Sequence, residues 1–196
     1  TERLEKYTED DDMNILKGSV IGMLIVLAGC GQLQVIDQNG VDMATIKPLY
    51  TLVNLHPDEQ RRRLYAVNYQ QPGLIPLCSE VEVLSIKKKG MKFKVVSSGV
   101  EYSYSYHNAA AETFDKHLIR FFGSTCNRAN VETLSKVDQE GIKLGKPLKG
   151  MSKEGVIYAM GIPPRHRTPS TDGDSWKYWT NRFSTMLVNF ENGKVV

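Results

Sequence analysis

Gly150-Met151-Ser152-Lys153-Glu154-Gly155-Val156-Ile157-Tyr158-Ala159-Met160-Gly161-Ile162-Pro163-Pro164 is a helix whose two ends are both legible. Ser152 is an N-cap whose hydroxyl can accept from free backbone N–H groups, and Met151 before it can staple onto Val156. Val156, Ile157 and Met160 form the apolar face. Gly161 suits a left-handed residue after the last turn, and the two prolines forbid continuation. Downstream, Asp172-Gly173-Asp174 is a turn. Trp176-Lys177-Tyr178-Trp179 and Met186 to Phe190 read as strands. Asn192-Gly193 then signals a tight hairpin into Lys194-Val195-Val196.

Upstream, the periodicity from about Leu49 to Tyr106 is two, which predicts short strands. Leu64 to Gln70, Leu74 to Leu77, and Glu80 to Ile86 each read as a strand. Lys87 to Gly90 is a basic turn, after which Met91, Phe93 and Val95 alternate with lysines. Beyond the Ser97-Ser98-Gly99 turn, Tyr102, Tyr104 and Tyr106 alternate with serines. Strands at this spacing predict a small antiparallel barrel or curled sheet. Leu74-Ile75-Pro76-x-Cys78-x-x-Val81-x-Val83 resembles the corresponding strand of SH3-like barrels. After His107 the period changes. Asn108 can cap a helix over Ala109 to Phe122 with Gly123 at its end, and a short helix from Asn130 would turn Val131, Leu134 and Val137 inward. Gly141 to Gly150, with three glycines and a proline, is expected to be a linker.

The block from 147 to 196 resembles the BamE (SmpA/OmlA) family of outer-membrane lipoproteins. The residues that carry the likeness are Gly150-Met151-Ser152, Val156, Ala159-Met160-Gly161-x-Pro163, Trp176-x-Tyr178, and Val188-x-Phe190 before Gly193-Lys194-Val195. The resemblance implies two helices packed on a three-stranded antiparallel sheet. It also implies a place beside the machinery that inserts barrel proteins into the outer membrane. Three features depart from the family pattern. Gly155 stands where a Gln or Glu would complete a capping box, at a cost of roughly 1 kcal/mol in helix propensity. Arg165-His166-Arg167-Thr168-Pro169 is long and basic, and residues 46–125 are an insertion.

The N-terminal region has a separate character. From Met13, one lysine (Lys17) precedes an apolar stretch from Val20 to Leu27, which ends in Leu27-Ala28-Gly29-Cys30. A membrane span needs roughly 20 apolar residues, whereas the apolar part of a secretory signal takes about 7–15. The ending resembles the lipobox of bacterial lipoproteins, in which the signal is removed and the cysteine, here Cys30, carries acyl chains. Gly31 is not the Asp that retains such proteins at the inner membrane, so the resemblance implies the periplasmic face of the outer membrane. The expected organisation is an extension over 1–12 that is non-native or mis-started, a signal over 13–29, and a tether over 30–45. A β-rich domain with a C-terminal helix follows over 46–125, and an α+β module over 126–196. The fold class is α+β.

Six acids and three bases fall in residues 1–29, so residues 30–196 carry 22 bases against 16 acids, a net +6. This balance suits an anionic surface such as lipid headgroups or wall polymer. The chain has no zinc-finger, RNP or basic-helix pattern, so nucleic acid is not an expected partner. Arg61-Arg62-Arg63 and Lys87-Lys88-Lys89 read as solvated faces. With Cys30 assigned to lipid, Cys78 and Cys126 remain, either as a bridge in an oxidising compartment or as two buried thiols.

The four histidines (His56, His107, His117, His166) do not form metal-ligand spacings, and no phosphate-cradling loop or cysteine-peptidase signature is present. The sequence therefore predicts neither catalytic residues, nor a metal site, nor a cofactor. The expected function is a lipid-anchored, non-catalytic binding or scaffold subunit of an outer-membrane complex, with Tyr158, Trp176, Tyr178, Trp179 and Phe183 as partner contacts. The alternative is a periplasmic protein of the wall-binding or inhibitor type that uses Tyr102, Tyr104 and Tyr106.

Overall fold

The computed structural model describes residues 33–196. The expected extension (1–12), signal (13–29) and lipidation site (Cys30) lie outside the described residues. The fold is α+β, with one curled, largely antiparallel sheet of six strands and a second sheet of three. In the first sheet the order is β2 (Arg63–Tyr65), β5 (Glu101–Ser105), β4 (Gly90–Val95), β3 (Glu80–Lys87), β1 (Leu49–Thr51) and β6 (Phe122–Gly123). Only the β2–β5 pair is parallel. Period two decides which side each residue takes. Val81, Ile86, Met91, Phe93, Val95 and Tyr104 are buried, while Glu80, Lys92 and Glu101 face water.

Several expectations for this half are corrected. The segment assigned as a tether enters the core, since Val35 and Met43 are fully buried and the Leu33 N–H donates to the Ile86 carbonyl. The strand expected over 64–70 stops at Tyr65, because Asn68 turns to φ 50° and spends its amide on carbonyls elsewhere. Leu74 to Leu77 makes only an isolated bridge from Ile75 to Leu55. The helix expected over 109–122 is α1 (Phe114–Phe121) alone, since Ala111 adopts a left-handed conformation at φ 59° after a 3-10 turn. Gly123 does not cap that helix; it extends from Phe122 as β6 and pairs with Tyr50.

The second half contains α2 (Arg128–Thr133), α3 (Lys136–Leu144), α4 (Lys153–Met160), β7 (Ser175–Trp179), β8 (Thr185–Glu191) and β9 (Lys194–Val195). The expected linker over 141–150 is wrong at its start. Gly141 lies inside α3, where any side chain would collide with the Met151 thioether. Gly145, at φ 64°, is the residue that ends the helix. Gly155 has the same explanation: a Cβ there would strike the Asp138 carboxylate. That carboxylate accepts from the Ser152 backbone N–H at 2.7 Å and from its hydroxyl at 3.0 Å. Asp138 of α3 thus supplies the reciprocal half of the capping box that Gly155 cannot. Burial would raise the Asp138 pKa, but hydrogen bonds from Ser135 and Ser152 outweigh it and hold the carboxyl below the usual range.

Two apolar cores meet at α4, whose Ile157 and Tyr158 pack against both. Side chains from the first half satisfy the carbonyls that end this helix. Asn54 Nδ2 donates to Ala159 O (3.2 Å) and to Ile142 O (2.6 Å), while its Oδ1 accepts from the Leu77 N–H. His56 Nε2 donates to Ala159 O, Asn68 Nδ2 to Met160 O and Ile162 O, and Gln70 Nε2 to Met160 O. Cys78 and Cys126 form a disulfide across a separation of 48 residues. A loop of that size is worth about 4 kcal/mol in the chain-entropy treatment.

A polar network also lies inside the first core. His117 Nδ1 donates to Glu112 Oε1 at 3.1 Å, and Nε2 accepts from the Tyr104 hydroxyl at 2.7 Å. Arg120 completes the network on Glu112 Oε2. These roles belong to the neutral imidazole, the form that burial favours. Burial depresses the His117 pKa against the opposing pull of Glu112, and burial likewise depresses that of His56.

Two outcomes follow. Both histidines bind protons less readily folded than unfolded, so their stabilisation is complete above the ordinary histidine value near 6.5 and is lost as pH falls below it. Thermal melts should therefore show a falling midpoint from pH 7 toward pH 5, with a weaker slope in His117→Gln. Asn54→Ala removes three buried hydrogen bonds and leaves the Leu77 N–H unpaired, while Ala159 O keeps His56 and Ile142 O keeps the Gly145 N–H; it should cost about 2 kcal/mol, read from the urea midpoint.

Candidate functional site

The eight aromatic side chains expected to meet a partner have three different fates. Trp176, Tyr178 and Tyr104 are in the core and cannot be contacts. Trp176 Nε1 donates to Gly173 O, and the Tyr178 hydroxyl to Gly161 O, so even their polar ends are used internally. Tyr102 and Tyr106 share the inward side of β5 with Tyr104. Tyr102 stacks on Phe93 with centroids 5.8 Å apart, and the Tyr106 hydroxyl donates to Glu112 O. The three tyrosines therefore line a core and do not form an exposed platform. Tyr158 is half-buried, with its hydroxyl accepting from Asn130 Nδ2. Trp179 is half-buried between the His166 ring and the Arg167 guanidinium. Only Phe183 stands free, 79 % exposed.

Phe183 is exposed in a fixed position. It sits in the β7–β8 loop, where Asn181 Oδ1 accepts from the N–H groups of both Phe183 and Ser184, and the Thr180 N–H donates to Ser184 O. Arg182 lies over its ring at 4.4 Å. This loop abuts the segment after β2. Tyr69 bridges Trp179, the Gln70 N–H donates to Trp179 O, and Gln71 Nε2 donates to Thr180 O. The two sheets are sewn together along this seam.

Two hollows flank it and share Gln71. One, of about 530 Å³, is lined by Tyr65, Tyr69, Arg61, His107, Arg182 and Phe183. Its aromatic rings are paired, with Tyr65 and Tyr69 centroids 5.1 Å apart. Burial raises the Tyr69 pKa, with Tyr65 adding to the shift and Arg182 opposing it. Arg61 is tied to Asp58, whereas Arg182 has no carboxylate partner among the described residues. The other hollow, about 460 Å³, is apolar, with Leu74, Leu144, Leu148, Met160 and Met186 on its walls. Gln70 is also among its lining residues; its Oε1 is buried without a hydrogen-bond donor among the described residues.

The arrangement suits recognition of a protein segment. It provides an apolar slot, an exposed aromatic on a hydrogen-bonded loop and a guanidinium without a carboxylate partner among the described residues. Sequence reasoning found Phe183 and missed Arg182, Tyr65, Tyr69 and Gln70. The one available signal was Asn181-Arg182-Phe183 itself, an aromatic placed in a polar turn where no core can use it. Among the described residues no group of three or more His, Cys, Asp or Glu is placed to hold a metal ion.

The seam aromatic and the core aromatics should separate cleanly in denaturant melts. Phe183→Ala should move the unfolding free energy by no more than about 0.5 kcal/mol. Trp176→Ala should cost about 3–5 kcal/mol, because it empties the centre of the second core. No family model, no curated protein and no solved structure matches the chain, so the seam is read from its own geometry.

Proposed function

We propose that this chain is a lipid-anchored envelope protein that works without catalysis, as a binding scaffold on the periplasmic face of the outer membrane, with the seam around Phe183 as its protein contact. The observation that carries the reading is a contiguous surface: Phe183, 79 % exposed on a hydrogen-bonded loop, stands on the rim of a hollow shared with the Tyr65 and Tyr69 rings, next to the apolar hollow across Gln71. Such a joined aromatic and apolar patch, unlike a lone ring, is what contact sites present.

Three further features support the placement. The Leu27-Ala28-Gly29-Cys30 ending has the form of a lipidation signal. The Cys78–Cys126 bridge belongs to an oxidising compartment. Two helices, α3 and α4, followed by the three-stranded antiparallel sheet β7-β8-β9, have the order of elements that the BamE resemblance implies. The upstream segment is a curled, antiparallel-rich sheet of six strands, the coarse architecture expected there. Wall or inhibitor-type ligand binding is the weaker reading, because the rings of Tyr102, Tyr104 and Tyr106 turn inward.

Fractionation tests the anchor and crosslinking tests the seam. After a high-salt wash that strips electrostatic contacts, Cys30→Ala should leave the membrane pellet while the parent stays in it, and the parent should carry an acyl mass on Cys30. A photo-crosslinking residue at position 183 should give adducts with outer-membrane barrel-assembly subunits in intact envelopes. A parent without acyl mass, or crosslinks to wall fragments alone, overturns the reading.

A further inference from the structure

The outward side of the first sheet carries a cationic row that the seam does not use. Register places Ser85, Lys92, Ser103 and Arg63 directly beside one another on β3, β4, β5 and β2. Four adjacent strands set this row about 14 Å wide. The next row toward the hairpin tip runs Lys87, Gly90, Ser105. Gly90 is bare for a structural reason: a Cβ there would come within 2.9 Å of Tyr104 O. A hollow of about 340 Å³ lies over these two rows, with Lys89 at its edge.

The charge on this face is one-sided. Among the described residues, Lys87, Lys88, Lys89, Lys92 and Arg63 have no carboxylate within ion-pair distance. The acids of the face are gathered at the opposite end, where Glu82 holds Lys94 and Glu101 is its neighbour across the strand. Lysines are exposed at the tip, and the serine hydroxyls between them can donate to the same oxygens. A bulge between Val83 and Ser85 also leaves Leu84 41 % exposed.

We propose that this face docks on the phosphate headgroups of an anionic bilayer, with oxygens seated between Lys92, Ser103 and Arg63 and the Lys87-Lys88-Lys89 tip lying against the membrane surface. Charge complementarity carries the assignment. Lysine is a strongly hydrated point charge that suits a field of phosphates without demanding one fixed geometry. The choice of lipid over another polyanion rests on the envelope placement proposed above.

Co-sedimentation of the full chain carrying Cys30→Ala tests the face without an acyl anchor. Binding should appear with vesicles of phosphatidylglycerol and phosphatidylcholine, be absent with phosphatidylcholine alone, and weaken as salt is raised. Lys87→Gln/Lys88→Gln/Lys89→Gln should reduce the partition about a hundredfold, at about fivefold for each lysine. Lys143→Gln/Lys146→Gln/Lys149→Gln removes the same charge from an exposed stretch elsewhere and should bind as the parent does. Equal loss in the two triple variants, equal binding to neutral vesicles, or no binding overturns the proposal. So does displacement by soluble glycerol phosphate, or tighter binding to a DNA duplex than to the vesicles. Acyl mass on Cys30 is read separately, so an acylated protein with an inert face refutes this inference and leaves the envelope placement intact.

Discussion

The end of α4 is where the molecule is made one body. Gly161 cannot satisfy the carbonyls of the last turn alone, because it closes only the Ile157 carbonyl. The rest are answered from outside the helix. The Asn54 N–H reaches Tyr158 O, the Asn54 amide and His56 reach Ala159 O, and Asn68 and Gln70 reach Met160 O. A helix end buried without such partners would leave several carbonyls stranded, each at about 1–3 kcal/mol. The first half therefore acts as the cap of the second. The price appears in the local backbone, where Asn68 must adopt φ 50° to aim its amide.

The same constraint positions the seam. Once Asn68 and Gln70 are committed to α4, the chain between them passes alongside β7, and Tyr69 bridges Trp179. Gln71 then reaches the β7–β8 loop, which Asn181 has already fixed. Phe183 is exposed because the residues on both sides of it are held by contacts that do not involve its ring. Gln70 spends its amide nitrogen on the helix and leaves its oxygen buried without a donor among the described residues.

Some of this was legible in the sequence. Strands β3, β4 and β5, the Ser152 cap, the Gly161 stop and the Asn192-Gly193 turn all rest on local patterns and local backbone chemistry. What escaped depends on residues far apart in the chain. Gly141 and Gly155 look like breakers, yet each is a glycine because a neighbour, Met151 or Asp138, occupies the space a side chain would take. Alternation in Tyr102-Ser103-Tyr104-Ser105-Tyr106 shows that one face is covered but not which partner covers it. The aromatic half went inward against Phe93 and Phe114. Phe183 was legible for the converse reason: no local pattern gives it anything to pack against.

The inward turn of those tyrosines also shapes the outside. Because β5 spends its rings on the core, its outward side is left with Ser103 and Ser105, small enough to leave the lysines of β4 and the tip unobstructed. Strand β2 then joins the two exposed surfaces. Arg63 closes the cationic row next to Ser103, and Tyr65, two residues on and on the same side of the strand, lines the seam hollow. A bilayer under the lysine tip would therefore leave the seam at the edge of the contact, open toward whatever lies beside the protein in the plane of the membrane. Under the two proposals taken together, the cationic face would set the orientation of the protein and Phe183 would meet its neighbour.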